Sequence, residues 1–128
     1  MTTGKKVLFG VFALMFIGGG IAHFSNPDFY LKLIRYIIPA GHDDLEKQLV
    51  MLSGITEIVA GLLFVIPQTR KWGATFILLH LLAFLAVHVT MCFVRMPGEE
   101  PNVQYIVWPR LIIQFMLIYW IATFKTDK

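Results

Sequence analysis

An eighteen-residue apolar stretch, from Leu49 to Ile66, constrains the fold of this chain more than any other feature. It reads LVMLSGITEIVAGLLFVI, and its only charged residue is Glu57, close to the middle. A run of this length and apolarity is typical of a membrane-spanning helix. Because a carboxylate is costly inside a bilayer, we expect Glu57 to face protein or trapped water rather than lipid.

Small residues flank Glu57 on both sides at helical spacing. Ser53 and Gly54 precede it by four and three residues, and Ala60 and Gly61 follow it by three and four. Residues at these offsets share one face of a helix. Small residues let membrane helices approach one another closely. The sequence therefore predicts that Glu57 lies where another helix packs.

The overall composition also indicates a membrane protein. The chain has 128 residues, of which 57% are hydrophobic and 15% charged, and its mean hydropathy is +0.70. These values exclude an ordinary soluble domain, and the length suits one integral membrane domain, residues 1–128, with four spans. The single cysteine, Cys92, excludes an intrachain disulfide. No basic run with interleaved aromatics indicates a nucleic-acid partner, so the partner that composition favours is the lipid bilayer.

Four apolar runs predict an all-α fold, a membrane four-helix bundle. The predicted spans are approximately residues 7–24, 47–66, 72–94 and 105–124, and the apolar run of the last is interrupted early by Pro109 and Arg110 and later by Gln114. The basic start of the first run is shared by signal peptides, but no convincing small-residue cleavage site follows. We therefore expect the first span to be an uncleaved helix.

A short amphipathic segment separates the first two spans. Residues 26–28, Asn-Pro-Asp, are a typical helix start, and the next ten residues mix apolar side chains with two cations. The segment is too short to span, so it predicts an extra interfacial or re-entrant helix within residues 27–38, ended by residues 39–41. Asp43 or Asp44 would then cap the second span.

The distribution of cations predicts the topology. Four spans place both termini on one side of the membrane, and that side carries six cations against four on the other. The six are Lys5, Lys6, Arg70, Lys71, Lys125 and Lys128, and the four are Lys32, Arg35, Lys47 and Arg95. The positive-inside rule favours cytoplasmic termini, with the Asp43–Asp44 and Glu99–Glu100 loops outside.

Polar residues from separate predicted helices fall in the same outer half of the membrane. With a rise of about 1.5 Å per residue, Glu57 lies roughly 13 Å and His88 roughly 9 Å below the outer ends of their spans. His80 is deeper, and we expect it to be hydrogen-bonded across helices. The candidate ligand-binding residues are Glu57, His88, Arg110, Gln114, His23 and Asn26. Within this set we predict a buried Glu57–Arg110 pair, with Gln114 as a second donor to Glu57.

A metal site and a haem site are alternative interpretations of the histidines in this cluster. His23, Glu57 and His88 have the residue types of a two-histidine, one-carboxylate metal site. No tight ligand spacing supports such a site, and His23 is expected to be too shallow to join it, so no metal site is predicted. A haem between two histidines would need opposed depths that the sequence does not indicate.

Three motifs resemble those of a known family. They read GxxHFxxP from Gly20 to Pro27, SGxxEIxxGLLxxxPxTR from Ser53 to Arg70, and WPRLxxQxxLIYW from Trp108 to Trp120. In order and spacing the chain resembles the DoxX-like group of small membrane proteins. This resemblance implies a four-helix bundle in a bacterial inner membrane. Relatives in that group include a subunit of a thiosulfate:quinone oxidoreductase and proteins linked to redox-stress complexes.

Three classes of function remain open at this stage. The first is a binding protein that holds a quinone or another lipophilic molecule in a polar pocket, alone or as the membrane subunit of a redox complex. The second is a structural or assembly subunit, in which a Glu–Arg pair fixes helix register and catalysis resides on a partner protein. The third, a stand-alone enzyme, is favoured least because the chain has no paired cysteines, cofactor motif or nucleophile constellation. A homo-oligomer is left open.

Overall fold

The computed structural model describes residues 2–38, 41–93 and 104–126, and every regular element in them is helical. The predicted helix end at residues 39–40, the predicted polar loop at residues 96–102 with its two glutamates, Arg95 and Lys128 lie outside the described residues. The α-helices are α1 (Thr3–Ser25), α2 (Pro27–Ile34), α3 (Asp43–Val65), α4 (Arg70–Phe93) and α5 (Gln104–Thr126), with a short 3-10 helix at Pro67–Thr69 between α3 and α4.

Four of these helices, α1, α3, α4 and α5, are long and apolar enough to cross a membrane. A helix of 23 residues, such as α1, extends about 34 Å, which exceeds the hydrocarbon thickness of roughly 30 Å. The predicted all-α, four-helix membrane bundle is confirmed, and so is the extra short helix after the first span. The protein is a multi-pass membrane protein.

The distribution of exposed side chains suits a lipid environment. Large apolar residues point outward, among them Leu14 with 77% of its surface exposed and Phe93 with 74%. The buried residues instead include His23, Glu57 and Gln114. A water-soluble protein shows the opposite trend, because charged side chains are seldom fully buried there. The outer surface therefore matches hydrocarbon, and the polar chemistry lies inside the bundle.

The helix starts agree only in part with the sequence. α2 begins with Pro27 at its first position, as predicted, but Asn26 makes no capping hydrogen bond through its side chain. α3 begins at Asp43, and its N-cap residue is His42, so the prediction of an aspartate cap is wrong. Asp43 and Asp44 lie in the first turn instead, where a negative charge interacts favourably with the helix dipole.

Pro109 lies inside α5, which continues through it from Gln104 to Thr126. The proline that interrupts the apolar run therefore does not interrupt the helix. Proline removes one backbone hydrogen bond from a helix, and only the first four N–H groups of a helix lack an intrahelical partner. Pro109 is the sixth residue of α5, so the hydrogen bond that it removes lies just beyond these first four positions. The uninterrupted helix places Arg110 and Gln114 one turn apart on the same face.

The four long helices pack in chain order around α3 and α4. α3 packs against α1 on one side and α4 on the other, and α5 packs against α4. The contact between α1 and α3 uses the predicted small-residue face. A Cβ atom on Gly54 would lie 2.7 Å from the Cβ of His23 and 3.0 Å from the carbonyl oxygen of Gly20. Only glycine at position 54 permits this approach.

Two apolar clusters close the ends of the bundle. The larger one surrounds the rings of Phe12, Phe64 and Phe124, which meet edge to face. At the same end Lys5 donates a 2.7 Å hydrogen bond to Thr123, which joins α1 to α5. A smaller cluster lies between α4 and α5 at the other end and consists of Val87, Met91, Cys92 and Val107. The polar residues lie between these two clusters.

Candidate functional site

A buried histidine–glutamate contact forms the centre of the candidate site. The Nε2 atom of His23 lies 2.7 Å from Oε2 of Glu57, and both side chains are more than nine-tenths buried. The Nδ1 atom of His23 lies 2.8 Å from the carbonyl oxygen of Val50. Because a carbonyl only accepts, Nδ1 carries a hydrogen. The short contact between Nε2 and Oε2 then requires one further proton between them, since two lone pairs would repel.

The contact between His23 and Glu57 is close but poorly aligned. Neither Nε2 of His23 nor Oε2 of Glu57 has a well-directed hydrogen-bond partner within the described part of the chain. Buried polar atoms are nearly always hydrogen-bonded, so an exception indicates a functional role or a group that completes the bond. Because an imidazole nitrogen has only one hydrogen-bonding site, the shared proton occupies Nε2, whereas Oε2 of Glu57 keeps a lone pair that a ligand can use.

Antiparallel packing explains why His23 reaches Glu57. His23 is two residues from the end of α1, and Glu57 is fourteen residues into α3. Side chains lean toward the N-terminus of their own helix. In antiparallel neighbours the two side chains therefore lean toward each other. The first turns of α3 also extend beyond the end of α1, and Gly54 lets α1 approach closely. The expectation that His23 is too shallow is wrong.

α2 covers this pair with an aromatic ring. The ring of Tyr30 stacks on His23, with 3.7 Å between centroids, and its hydroxyl donates a 3.3 Å hydrogen bond to the carbonyl oxygen of Gly19. Burial, and to a lesser extent the nearby negative charge of Glu57, raise the pKa of the Tyr30 phenol. The hydroxyl therefore stays protonated and remains a donor. Farther along, Arg35 donates to the buried Glu46 at 3.3 Å and so links the end of α2 to α3.

The His23–Glu57 pair forms part of the wall of a cavity of about 540 Å³ between the helices. All five helices contribute to its lining, which is mostly apolar. Pockets for small molecules typically have volumes of roughly 300–1,000 Å³ and carry few polar groups. The polar side chains that line this cavity are His23, Tyr30, Ser53, Glu57, His88, Arg110 and Gln114. The volume and the lining both suit one lipophilic molecule.

Arg110 lines the same cavity but does not contact Glu57. The residues that the structure describes place no carboxylate within 4 Å of its guanidinium. The predicted direct Glu57–Arg110 pair is therefore wrong. The reason is geometric, because α5 packs on α4 whereas Glu57 is on α3.

The other predicted residues take up different positions. Gln114 donates a 2.6 Å hydrogen bond to the carbonyl oxygen of Leu81 on α4, so its prediction as a donor to Glu57 is wrong. His88 is on the cavity wall, close enough to Arg110 for that charge to act on it. Asn26 is exposed at the junction of α1 and α2, outside the cavity lining. The structure thus brings together five of the six candidates.

His80 confirms its expected role as a bonded histidine between helices. Its Nε2 atom lies 2.8 Å from Oγ1 of Thr56 on α3, and its Nδ1 donates to the carbonyl oxygen of Phe76 at 2.7 Å. Across residues 2–38, 41–93 and 104–126, no group of three or more histidines, cysteines and acids is arranged to hold a metal ion. His88 in particular does not join the His23–Glu57 pair.

Tyr30 is a residue of the candidate site that was not predicted from the sequence. A signal for it was present, because Tyr30, Leu33, Ile34 and Ile37 repeat at spacings of three and four residues. Such spacing marks one face of a helix, and in the structure these four residues all line the cavity. The inward face of the short helix could therefore have been identified.

The fold and the cavity define a multi-pass membrane protein with a four-helix bundle and an internal, mostly apolar cavity that carries several polar side chains. The chain belongs to the family described as "Domain of unknown function (DUF8561)", which matches residues 12–125. That range includes all the polar residues of the cavity. No curated protein and no solved structure matches the chain.

Proposed function

We propose that this protein is a DoxX-like protein of the bacterial inner membrane that binds a lipophilic, quinone-like molecule in the cavity, alone or as the membrane subunit of a redox complex. The observation that carries the proposal is the pair of buried, incompletely hydrogen-bonded atoms, His23 Nε2 and Glu57 Oε2, on the wall of a mostly apolar cavity. The motif resemblance supports the choice of group and membrane.

The residue chemistry suits a quinone head group. A quinone carbonyl needs a hydrogen-bond donor, and its reduction also needs a proton source. The His23–Glu57 contact holds one proton between two acceptor atoms. Arg110 adds a permanent donor on another wall of the cavity. The apolar lining suits the ring and its tail.

A structural or assembly subunit is the second candidate. It is favoured by polar contacts that join helices without any ligand, namely Gln114 to Leu81, His80 to Thr56 and Arg35 to Glu46. In that case His23 and Glu57 would serve only to fix α1 against α3, and a redox partner protein would carry out catalysis. Such a partner should co-purify with the protein.

Binding of decylubiquinone to the protein purified in dodecyl maltoside tests the first proposal. We expect saturable binding with one molecule per chain, measured by native mass spectrometry. Glu57→Gln removes the ionisable carboxyl group and replaces one of its two acceptor oxygens with an NH2 donor, so it should weaken binding about tenfold or more.

Glu46→Gln is the matched control, because Glu46 is also buried and bonded but lies outside the cavity lining. It should leave binding unchanged. An absence of saturable binding, or an equal loss in both variants, would favour the structural subunit.

The proposal includes the topology with both termini in the cytoplasm, supported by the small excess of cations on that side. A green fluorescent protein fused after Lys128 should be fluorescent, and alkaline phosphatase inserted at His42 should be active. Activity of an alkaline phosphatase fused after Lys128 instead of the fluorescent protein would contradict this topology and place the cavity in the cytoplasmic half of the membrane.

A further inference from the structure

Arg110 lines the cavity without a compensating negative charge. It is half-buried on a membrane-spanning helix, and the described part of the chain gives it no ion pair or hydrogen bond. An arginine within a membrane span is costly, and it normally pairs with an acid or with backbone carbonyls. An isolated cation beside an open cavity is therefore a group that a ligand could neutralise.

Each carboxylate among the described residues either has another partner or lies outside the cavity lining, away from Arg110. Glu57 is in contact with His23, and Glu46 binds Arg35. Asp28, Asp43 and Asp44 are exposed in the first turns of α2 and α3 and do not line the cavity. None of these acids supplies the missing charge.

The net charge of the cavity follows from the proton count. His23 carries a hydrogen on Nδ1 and shares one further proton with Glu57, so the pair is neutral whether that proton resides on nitrogen or on oxygen. The Tyr30 phenol is neutral, and His88 can only be neutral or positive. Arg110 therefore leaves the cavity with at least one uncompensated positive charge.

We propose that this cavity also binds an amphiphilic anion whose carboxylate or phosphate group pairs with Arg110, beside His88, while its apolar tail lies along the cavity wall. The inference rests on the proposed function in one respect, that the cavity holds a lipophilic molecule, and it adds a second, anionic class of ligand. An arginine fork binds both kinds of head group through two parallel hydrogen bonds.

The walls of the cavity leave room for such a tail. Met15 on α1, Phe29 on α2, Ile37 just beyond α2 and Ile113 on α5 line the cavity and are also exposed. The cavity therefore has an apolar margin at the surface of the bundle. A chain that enters there from the bilayer keeps its tail in apolar surroundings while its head group reaches Arg110.

Three ligands with the same sixteen-carbon tail test this inference: palmitate, hexadecyl phosphate and hexadecanol. Their binding to the purified protein in dodecyl maltoside is measured by native mass spectrometry at pH 8. Wild-type protein should bind at least one of the two anions about tenfold or more tightly than hexadecanol. The preferred anion distinguishes a fatty-acid carboxylate from a phosphate head group.

Arg110→Gln should abolish that preference, so that the variant binds the anions no better than the alcohol. Because Arg110 has no partner among residues 2–38, 41–93 and 104–126, its removal leaves none of their charges unpaired, and the variant should fold with a melting temperature no lower than that of the wild type. Lys32→Gln is the matched control, since Lys32 is an exposed cation outside the cavity lining. It should keep the preference and report any general attraction of anions to the protein.

Equal binding of all three ligands by the wild type would overturn the inference, as would an equal loss of preference in Arg110→Gln and Lys32→Gln. If decylubiquinone binds in a manner that depends on Glu57 while neither anion is preferred, the inference alone fails and the proposed function stands. If none of the four compounds binds, both fail.

Discussion

Replacing Gly54 with leucine should separate α1 from α3 and disrupt the candidate site. Even a Cβ at this position would lie 2.7 Å from the Cβ of His23 and 3.0 Å from the backbone oxygen of Gly20. Backbone atoms cannot yield as a flexible side chain does, so the helices must move apart. We expect a loss of about 3 kcal/mol or more in the free energy of unfolding, at the upper end for overpacked positions.

The single cysteine offers the measurement for this variant. Cys92 is buried, so the rate at which a fluorogenic maleimide labels it during heating reports unfolding. Gly18→Leu is the matched control, because a Cβ on exposed Gly18 would meet nothing within 4 Å. That variant should match the wild type or gain about 0.5–1 kcal/mol from better helix propensity. A melting temperature for Gly54→Leu equal to that of Gly18→Leu would contradict the close packing of α1 on α3.

A double-mutant cycle should show that Glu57 is coupled to His23. His23→Phe keeps an aromatic ring under Tyr30 and removes both nitrogens, and Glu57→Leu removes the carboxylate. Each single change leaves a buried polar partner unsatisfied, which costs about 1–3 kcal/mol. The double variant has neither group left to be unsatisfied. Its loss of unfolding free energy should therefore be smaller than the sum of the two single losses by about 2 kcal/mol.

Arg110 provides the control for this cycle. The changes in unfolding free energy caused by Glu57→Leu and by Arg110→Gln should add to within about 0.5 kcal/mol in the double variant, because the two side chains are not in direct contact. The extent of maleimide labelling of Cys92 at increasing urea concentrations gives the free energy of unfolding of each variant. A larger coupling of Glu57 to Arg110 than to His23 would show that the predominant contact in the protein differs from the one in the structure.

The sequence could predict the four spans, the extra helix and the interior position of Glu57. Each of these depends on rules that act within one segment. Length and apolarity identify a span, and the cost of a charge in lipid requires Glu57 to face the interior. The small residues on either side of Glu57 also identified the face on which α1 packs, and Gly54 confirms it.

The partner of Glu57 could not be predicted in this way. The sequence placed Glu57, Arg110 and His88 at similar depths, but depth alone does not tell which helices are neighbours. An estimate of depth also assumes where each helix ends, and α3 extends beyond the end of α1 by its first turns. The estimate of depth therefore placed His23 too far from Glu57, whereas the structure shows the two side chains 2.7 Å apart.

The sequence by itself determined that this protein crosses the membrane with four helices and keeps a carboxylate inside the bundle, because hydrophobic length and the cost of burying charge are local properties of the chain. Only the tertiary structure decided that His23 meets Glu57 and that Arg110 faces the cavity with no ion pair to another described residue. The order in which the helices pack sets those contacts, since α3 packs against α1 and α4 whereas α5 packs against α4, and that order is a property of the whole bundle rather than of any one segment.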